Sequence, residues 1–134
     1  MEKRMSHPPY KILIVDDNEP IRDLLKIMCS FYNLNTECVT NGQEAVNAFK
    51  KERFEIVLMD LDMPIMGGFE ATRVIRQCER EKKRKRTPII AISGTTICNP
   101  HLKCIEEGMD GFLPKPIELD EMLDVIKTTI DLQG

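Results

Sequence analysis

EIVLMDLDMPIMGG, residues 55–68, is the stretch on which the reading of the fold turns. Residues 55–59 carry the unbroken apolar run IVLM. A run that short, with no polar alternation, fits a strand covered on both faces, as in a parallel sheet with helices on either side. Asp60 follows at once and Asp62 comes two residues later. A carboxylate at the very end of so apolar a strand needs a physical reason. Pro64, Gly67 and Gly68 then make a turn, and the spacing predicts a helix from about Phe69 through the region of Arg80.

Outward from that centre the same unit recurs. Toward the N-terminus, Asn41 and Glu44 have the spacing of a helix cap with its reciprocal acid, opening a helix that runs to about Glu52. A weaker strand, residues 36–40, precedes it. Before that, Ile21, Leu24, Leu25 and Met28 fall at i, i+3, i+4 and i+7, which predicts one helical face, and Pro20 suits the first turn. Residues 11–15 (KILIV) are the first strand. Toward the C-terminus, residues 88–92 (PIIAI) are a fourth strand. Leu102 and Ile105 mark a short helix ending near Gly108, and residues 111–113 a brief fifth strand. Leu119, Met122, Leu123, Ile126 and Ile130 stripe the last helix.

The pattern is (βα) five times over, an α/β fold. Each strand-to-strand connection must cross a sheet face, so the sheet is expected to be parallel and doubly wound. Ligands of such sheets bind beyond the carboxyl ends of the strands, where the winding reverses. The residues that follow the strands are therefore the candidates. They are Asp16 and Asp17 after the first, Asp60 and Asp62 after the third, Ser93, Gly94 and Thr95 after the fourth, and Lys115 after the fifth.

Carboxylates brought to one rim repel, and one would hold a proton unless a cation intervened. A hard divalent ion, Mg2+ or Mn2+, suits oxygen ligands of this kind and commonly shares them with phosphate oxygens. A lysine adds a fixed positive charge and a hydroxyl a hydrogen-bond donor. The set fits a phosphoryl group carried on an aspartate.

The motifs VDDN (15–18), LMDLDMPIMGG (58–68), AISG (91–94) and FLPKPI (112–117) resemble those of response-regulator receiver domains of two-component phosphorelays. The segment 68–92, with its charged loop before TPIIA, is most similar to receivers attached to hybrid histidine kinases. The resemblance implies a flavodoxin-like fold with strand order 2-1-3-4-5, over residues 11–132, after an N-terminal extension of residues 1–10. It implies Asp60 as phosphoacceptor and a metal held by Asp16, Asp17, Asp60 and the backbone carbonyl of Asp62. Ser93 and Phe112 take the places of switch residues and Lys115 that of the family's lysine. The Lys115–Pro116 bond is cis by the same implication. Asp62 stands at a position that tunes phosphoryl lifetime in the family. The implied partners are a sensor histidine kinase or histidine phosphotransfer protein, and a downstream protein on the face of helix 4, strand 5 and helix 5. On this reading the chain is a phosphoacceptor that assists its own phosphorylation and dephosphorylation, not an enzyme in the ordinary sense.

Two other readings compete. Asp60-Leu61-Asp62 also resembles the DxD nucleophile motif of haloacid-dehalogenase-type phosphatases, although Pro64 stands where that motif wants Thr or Val. A receiver fold that binds partners without phosphorylation is the other. Asp16 and Asp17 could also serve merely to cap the first helix, and Ser93 could be ordinary loop composition.

Composition narrows the field. The chain has 134 residues, enough for one domain, with 42% hydrophobic and 31% charged residues and a net charge of −3. No apolar run is long enough to cross a bilayer, and MEKRMSHPPY lacks a secretory apolar segment, so a cytoplasmic protein is expected. The overall charge argues against direct nucleic-acid binding. KKRKR (82–86) reads as a solvated loop, with docking to an acidic partner as the next reading. Cys29, Cys38, Cys78, Cys98 and Cys104 show no CxxC pairing and read as small core hydrophobes. His7 and His101 have no partners at metal-binding or catalytic spacing.

Overall fold

The computed structural model describes residues 10–94 and 100–133. The extension over residues 1–9, with His7, and Thr95 and Cys98 lie outside the described residues, as does the side chain of Ile130. Five parallel strands stand in the order β2-β1-β3-β4-β5. They are β1 (Lys11–Val15), β2 (Asn35–Val39), β3 (Ile56–Asp60), β4 (Ile89–Ser93) and β5 (Gly111–Pro114). Helices α1 (Glu19–Ser30), α2 (Gly42–Lys51), α3 (Gly68–Lys82), α4 (Pro100–Glu106) and α5 (Leu119–Gln133) alternate with them. The expected order of elements is present; β2, β3 and β4 are each offset by one residue from the reading of the sequence.

Strand alternation sorts the core into two layers. Leu13, Val15, Val57, Met59, Ile89 and Ala91 face α2, α3 and α4. Ile12, Ile14, Ile56, Leu58, Ile90 and Ile92 face α1 and α5. The three central strands are covered on both sides, which is why IVLM needs no polar alternation. Winding reverses between β1 and β3, so the ends of those two strands frame a crevice.

Two helices turn differently from the expected stripe. On α1 the buried residues are Leu25, Met28 and Cys29, while Leu24 is 43% exposed. The core-facing line thus runs one residue later in the turn and leaves Leu24 outside. On α4, Cys104 is buried, whereas Leu102 and Ile105 are 50% and 67% exposed. One small thiol, together with Met109, fills the space above β4 and β5, and the larger side chains lie outward.

The predicted cap of α2 is present, with a variation. Asn41 Oδ1 accepts from the Glu44 N–H at 2.9 Å, but Glu44 reaches back to the N–H and hydroxyl of Thr40, one residue beyond the cap. The described cysteines are free thiols, and Cys29, Cys78 and Cys104 are buried, as core filler should be. Burial pushes the Cys29 thiol up to about 12, with neighbouring Cys38 adding to it. Among the described residues no helix is long and apolar enough to cross a membrane.

Four of the five KKRKR residues are exposed, as expected of a solvated run, and Arg84 is half-buried. Arg84 stacks on the Phe49 ring, 4.1 Å from its centroid, and donates to the carbonyls of Phe49 and Glu52. Arg86 pairs with Asp110 at 3.0 Å. The loop is pinned at two points because guanidinium groups satisfy carbonyls and rings that would otherwise face water.

Candidate functional site

β1 leads directly into Asp16, whose N–H donates to Val39 O of β2 at 3.2 Å, so the carboxylate is fixed at the rim by the sheet itself. Asn18 caps α1, its side chain accepting from Ile21 N–H at 3.0 Å. The helix therefore does not use Asp16 or Asp17 as its cap. Asp16 is buried, with Oδ1 accepting from Asn18 N–H at 2.9 Å, and Asp17 is exposed.

β3 delivers Asp60, 1% exposed, to the same rim, and its Oδ1 accepts from Asp62 N–H at 3.2 Å. Gly68 makes room for this turn. A side-chain carbon there would lie 2.5 Å from the Asp60 carbonyl oxygen, so the start of α3 can sit against the strand end only with glycine. Ile65, 82% exposed in the intervening loop, has φ of 70°, a left-handed conformation that a β-branched residue strongly disfavours. The Lys115–Pro116 bond is cis, as the resemblance implies. Lys115 N–H donates to Ser93 O at 2.9 Å, which ties the ends of β4 and β5 together.

Across the crevice, Lys115 Nζ lies 3.3 Å from Asp16 Oδ2 and 3.4 Å from Asp60 Oδ1. Carboxylate oxygens of Asp16, Asp17 and Asp60 all lie within 4.8 Å of one another. One ammonium thus faces three carboxylates. Burial, and then the charge of Asp16, push the Asp60 carboxyl up to about 6, against the opposing pull of Asp62 N–H and Lys115. Burial works against the charge on Lys115, but Asp60 and Asp16 outweigh it and raise its pKa. Asp16 Oδ2 is buried and accepts no hydrogen bond; its contact with Lys115 is an ion pair without hydrogen-bond alignment. Oxygen donors in excess of cations, one of them an orphaned buried carboxylate oxygen, fit a hard divalent ion.

Ser93 ends β4, 2% exposed, and its Oγ donates to Asp62 Oδ2 at 3.5 Å, the outer limit of a hydrogen bond. Phe112 is half-buried against the α2–α4 layer. Its ring meets His101 edge-on, with centroids 5.5 Å apart and planes at 67°. The histidine that the sequence left without a partner thus has an aromatic one.

Residues 12–127 match the family described as response regulator receiver domain. The chain belongs to that family. It is 38% identical over 122 residues to hybrid signal transduction histidine kinase A of Dictyostelium discoideum, covering 89% of this chain and 6% of that protein. It is 34% identical over 116 residues to the sensor protein GacS of Pseudomonas syringae pv. syringae, covering 87% of this chain and 13% of that protein. The receiver thus spans a small part of these curated relatives. Among solved structures it is similar to the receiver domain of the sensor histidine kinase PA1611 of Pseudomonas aeruginosa PAO1, which holds a magnesium ion in its active-site cleft. The TM-score is 0.82 at 28% identity, covering 92% of this chain and 98% of that one. The haloacid-dehalogenase reading is left without support.

The crevice of this receiver brings together Asp16, Asp17, Asp60 and Lys115, with Ser93 held beside it through Asp62. Phe112 stands apart, on the α4–β5 side. Sequence reasoning missed the orphaned oxygen of Asp16 and the left-handed Ile65. Neither has a signal in residue type alone, since both depend on how neighbouring loops close.

Proposed function

We propose that this receiver takes a phosphoryl group from a phosphohistidine onto Asp60, and that the modified site changes which partner the domain binds. The observation that carries the reading is a buried carboxylate at the switch point, facing two further acids and one lysine. An Asp60 oxygen forms the new O–P bond as the N–P bond to the donor imidazole breaks, the electron pair leaving on nitrogen. Lys115 would shift from its carboxylates to a phosphoryl oxygen and neutralise charge there. Asp16, Asp17, Asp60 and the Asp62 carbonyl would hold Mg2+ or Mn2+, which supplies positive charge to the phosphoryl oxygens.

Ser93 is assigned the switch. Its hydroxyl, held by Asp62 at 3.5 Å, would release that carboxylate and donate to the phosphoryl group instead. The β4–α4 connection would move with it, and with that connection the α4–β5–α5 face, where Phe112 and the exposed Ile105 lie. That face is assigned to the downstream protein. The donor is assigned to α1 and its C-cap, where Leu24, Ile27 and the capping Phe31 are 43%, 55% and 63% exposed at i, i+3 and i+7, on the helix that opens beside Asp17. A sensor histidine kinase or histidine phosphotransfer protein would supply it, on the cytoplasmic, ATP-containing side of any membrane. The domain would be a stoichiometric acceptor that assists its own phosphorylation and dephosphorylation. Its whole protein would be a hybrid kinase or a separate regulator.

The test is intact mass after incubation with magnesium and acetyl phosphate. A base-labile gain of about 80 Da, lost in Asp60→Asn, is expected. An equal gain in Asp60→Asn would overturn the assignment. So would no gain from either acetyl phosphate or a phosphohistidine protein while magnesium still binds.

A further inference from the structure

We propose that this receiver carries a second binding site, a basic groove along α3 and the loop that follows it, that takes an acidic segment of a partner protein. The groove is open, about 630 Å3, and is lined by Arg73, Arg76, Arg80, Arg84 and Arg86 together with the acids Glu79, Glu106 and Glu107. Arg73, Arg76 and Arg80 fall at i, i+3 and i+7 and so share one face of α3. Arg80 lies twelve residues past Gly68, roughly 18 Å along the helix. The groove is therefore separate from Asp60, and both sites can be filled at once.

The arginines are not equivalent. Arg76 spends its donors inside the protein, on Glu79, Asp110 and the carbonyls of Thr87 and Gly108. Arg73 pairs with Glu107 and Arg86 with Asp110. Among the described residues the Arg84 side chain has only neutral partners: the Phe49 ring and the carbonyls of Phe49 and Glu52. Those contacts hold its guanidinium in place and leave its charge uncompensated. The Arg80 side chain makes no ion pair or hydrogen bond among the described residues. Two cations without a counter-ion, one already oriented, thus face one concavity in a chain whose net charge is −3.

Guanidinium forks match carboxylates in the bidentate manner, and a preoriented one loses less freedom on pairing. The lining argues for a protein segment over a nucleic acid. It contains no aromatic side chain on which a base could stack, and Glu79, Glu106 and Glu107 would repel a continuous phosphate backbone. Spaced carboxylates on a peptide can reach Arg80 and Arg84 while avoiding those acids.

The probe is a fluorescein-labelled decapeptide of alternating glutamate and glycine, titrated against the whole chain at low salt. Binding is expected that weakens with added salt and falls about fivefold or more in Arg80→Glu. It should be unchanged in Asp60→Asn, so the result stands apart from the fate of the phosphoacceptor reading. Arg80 is exposed on a helix, and Arg80→Glu should keep the wild-type melting curve. Arg84→Gln is the second variant, taken at a temperature where its own melting curve shows it folded. Equal affinity in wild type and Arg80→Glu would overturn the proposal. Tighter binding of an oligodeoxythymidine of matched charge would also overturn it, in favour of a nucleic-acid surface.

Discussion

Asp60 and Arg76 are both buried charges, 1% and 7% exposed, one against the start of α3 and the other at its middle, yet the molecule treats them in opposite ways. Arg76 is saturated. Its guanidinium donates to Glu79 at 2.9 Å, Asp110 at 2.8 Å, Thr87 O at 2.8 Å and Gly108 O at 2.9 Å. Glu79 and Asp110 in turn accept from the N–H groups of Thr87 and Ile89. Asp60 shares one ammonium with Asp16, and an oxygen of Asp16 is left with no hydrogen bond. Charges balanced internally tie α3 to the start of β4 and to the α4–β5 turn. Charges left in surplus are held for something that comes from outside.

Removing one member of the balanced set should do the most damage. Arg76→Ala strands Glu79 without its cation and weakens the hold on Asp110, for a loss of about 3–5 kcal/mol. In a thermal melt that is a fall on the order of 10–20 °C. A fall of less than about 3 °C would mean that the network fixes geometry without contributing stability.

At the acidic end the same kind of truncation should harm chemistry more than stability. Lys115→Ala is expected to slow phosphorylation by acetyl phosphate about 100-fold, from the loss of a fixed charge facing the transferring group. Its melting temperature should fall less than that of Arg76→Ala, because Lys115 is partly exposed and the Asp60 carboxyl, already pushed up to about 6, can take up a proton. A large drop in melting temperature with an unchanged rate would place Lys115 on the structural side of the comparison.

The smallest effect concerns backbone strain beside the acidic crevice. Ile65, with φ of 70° and almost no packing, should gain about 0.5–1 kcal/mol on replacement by asparagine, which tolerates the left-handed region. Chemical denaturation reads this directly. A loss instead would show that the exposed isoleucine makes contacts worth more than its strain.

The acidic end was the legible one. Asp16, Asp17, Asp60, Ser93 and Lys115 each end or follow a strand, and a parallel sheet leaves them no place but one rim. Boundaries slipped by a residue where apolar and polar positions meet, as at β3, which runs on to include Asp60. The balanced end went unread, although a signal existed. Thr72, Ile75, Arg76 and Glu79 keep helical spacing along the buried face of α3, so two charges sit on core positions. Their partner Asp110 lies more than 30 residues away, and nothing local announces it. Leu102 and Ile105 misled for the converse reason: on a helix as short as α4, hydrophobicity alone does not say which side is in.

If surplus charge in the crevice is kept for a metal and a phosphoryl group, the metal-free protein must be less stable for it. The folded-state pKa of Asp60, raised to about 6 from the ordinary 3.8, fixes the sign. The stabilising effect of its proton is complete below about pH 4 and is lost as pH rises through about 6. The measurement is the melting temperature of wild type beside Asp60→Asn, in chelator, from pH 4 to 8, and again with magnesium. In chelator at pH 7.5 the variant should be more stable by about 1–3 kcal/mol, and the gap should close toward pH 4. Magnesium at about ten times its Kd should raise wild type by about 1.4 kcal/mol and the variant by less. A variant less stable than wild type in chelator at pH 7.5 would contradict this reading and make Asp60 a structural charge like Arg76.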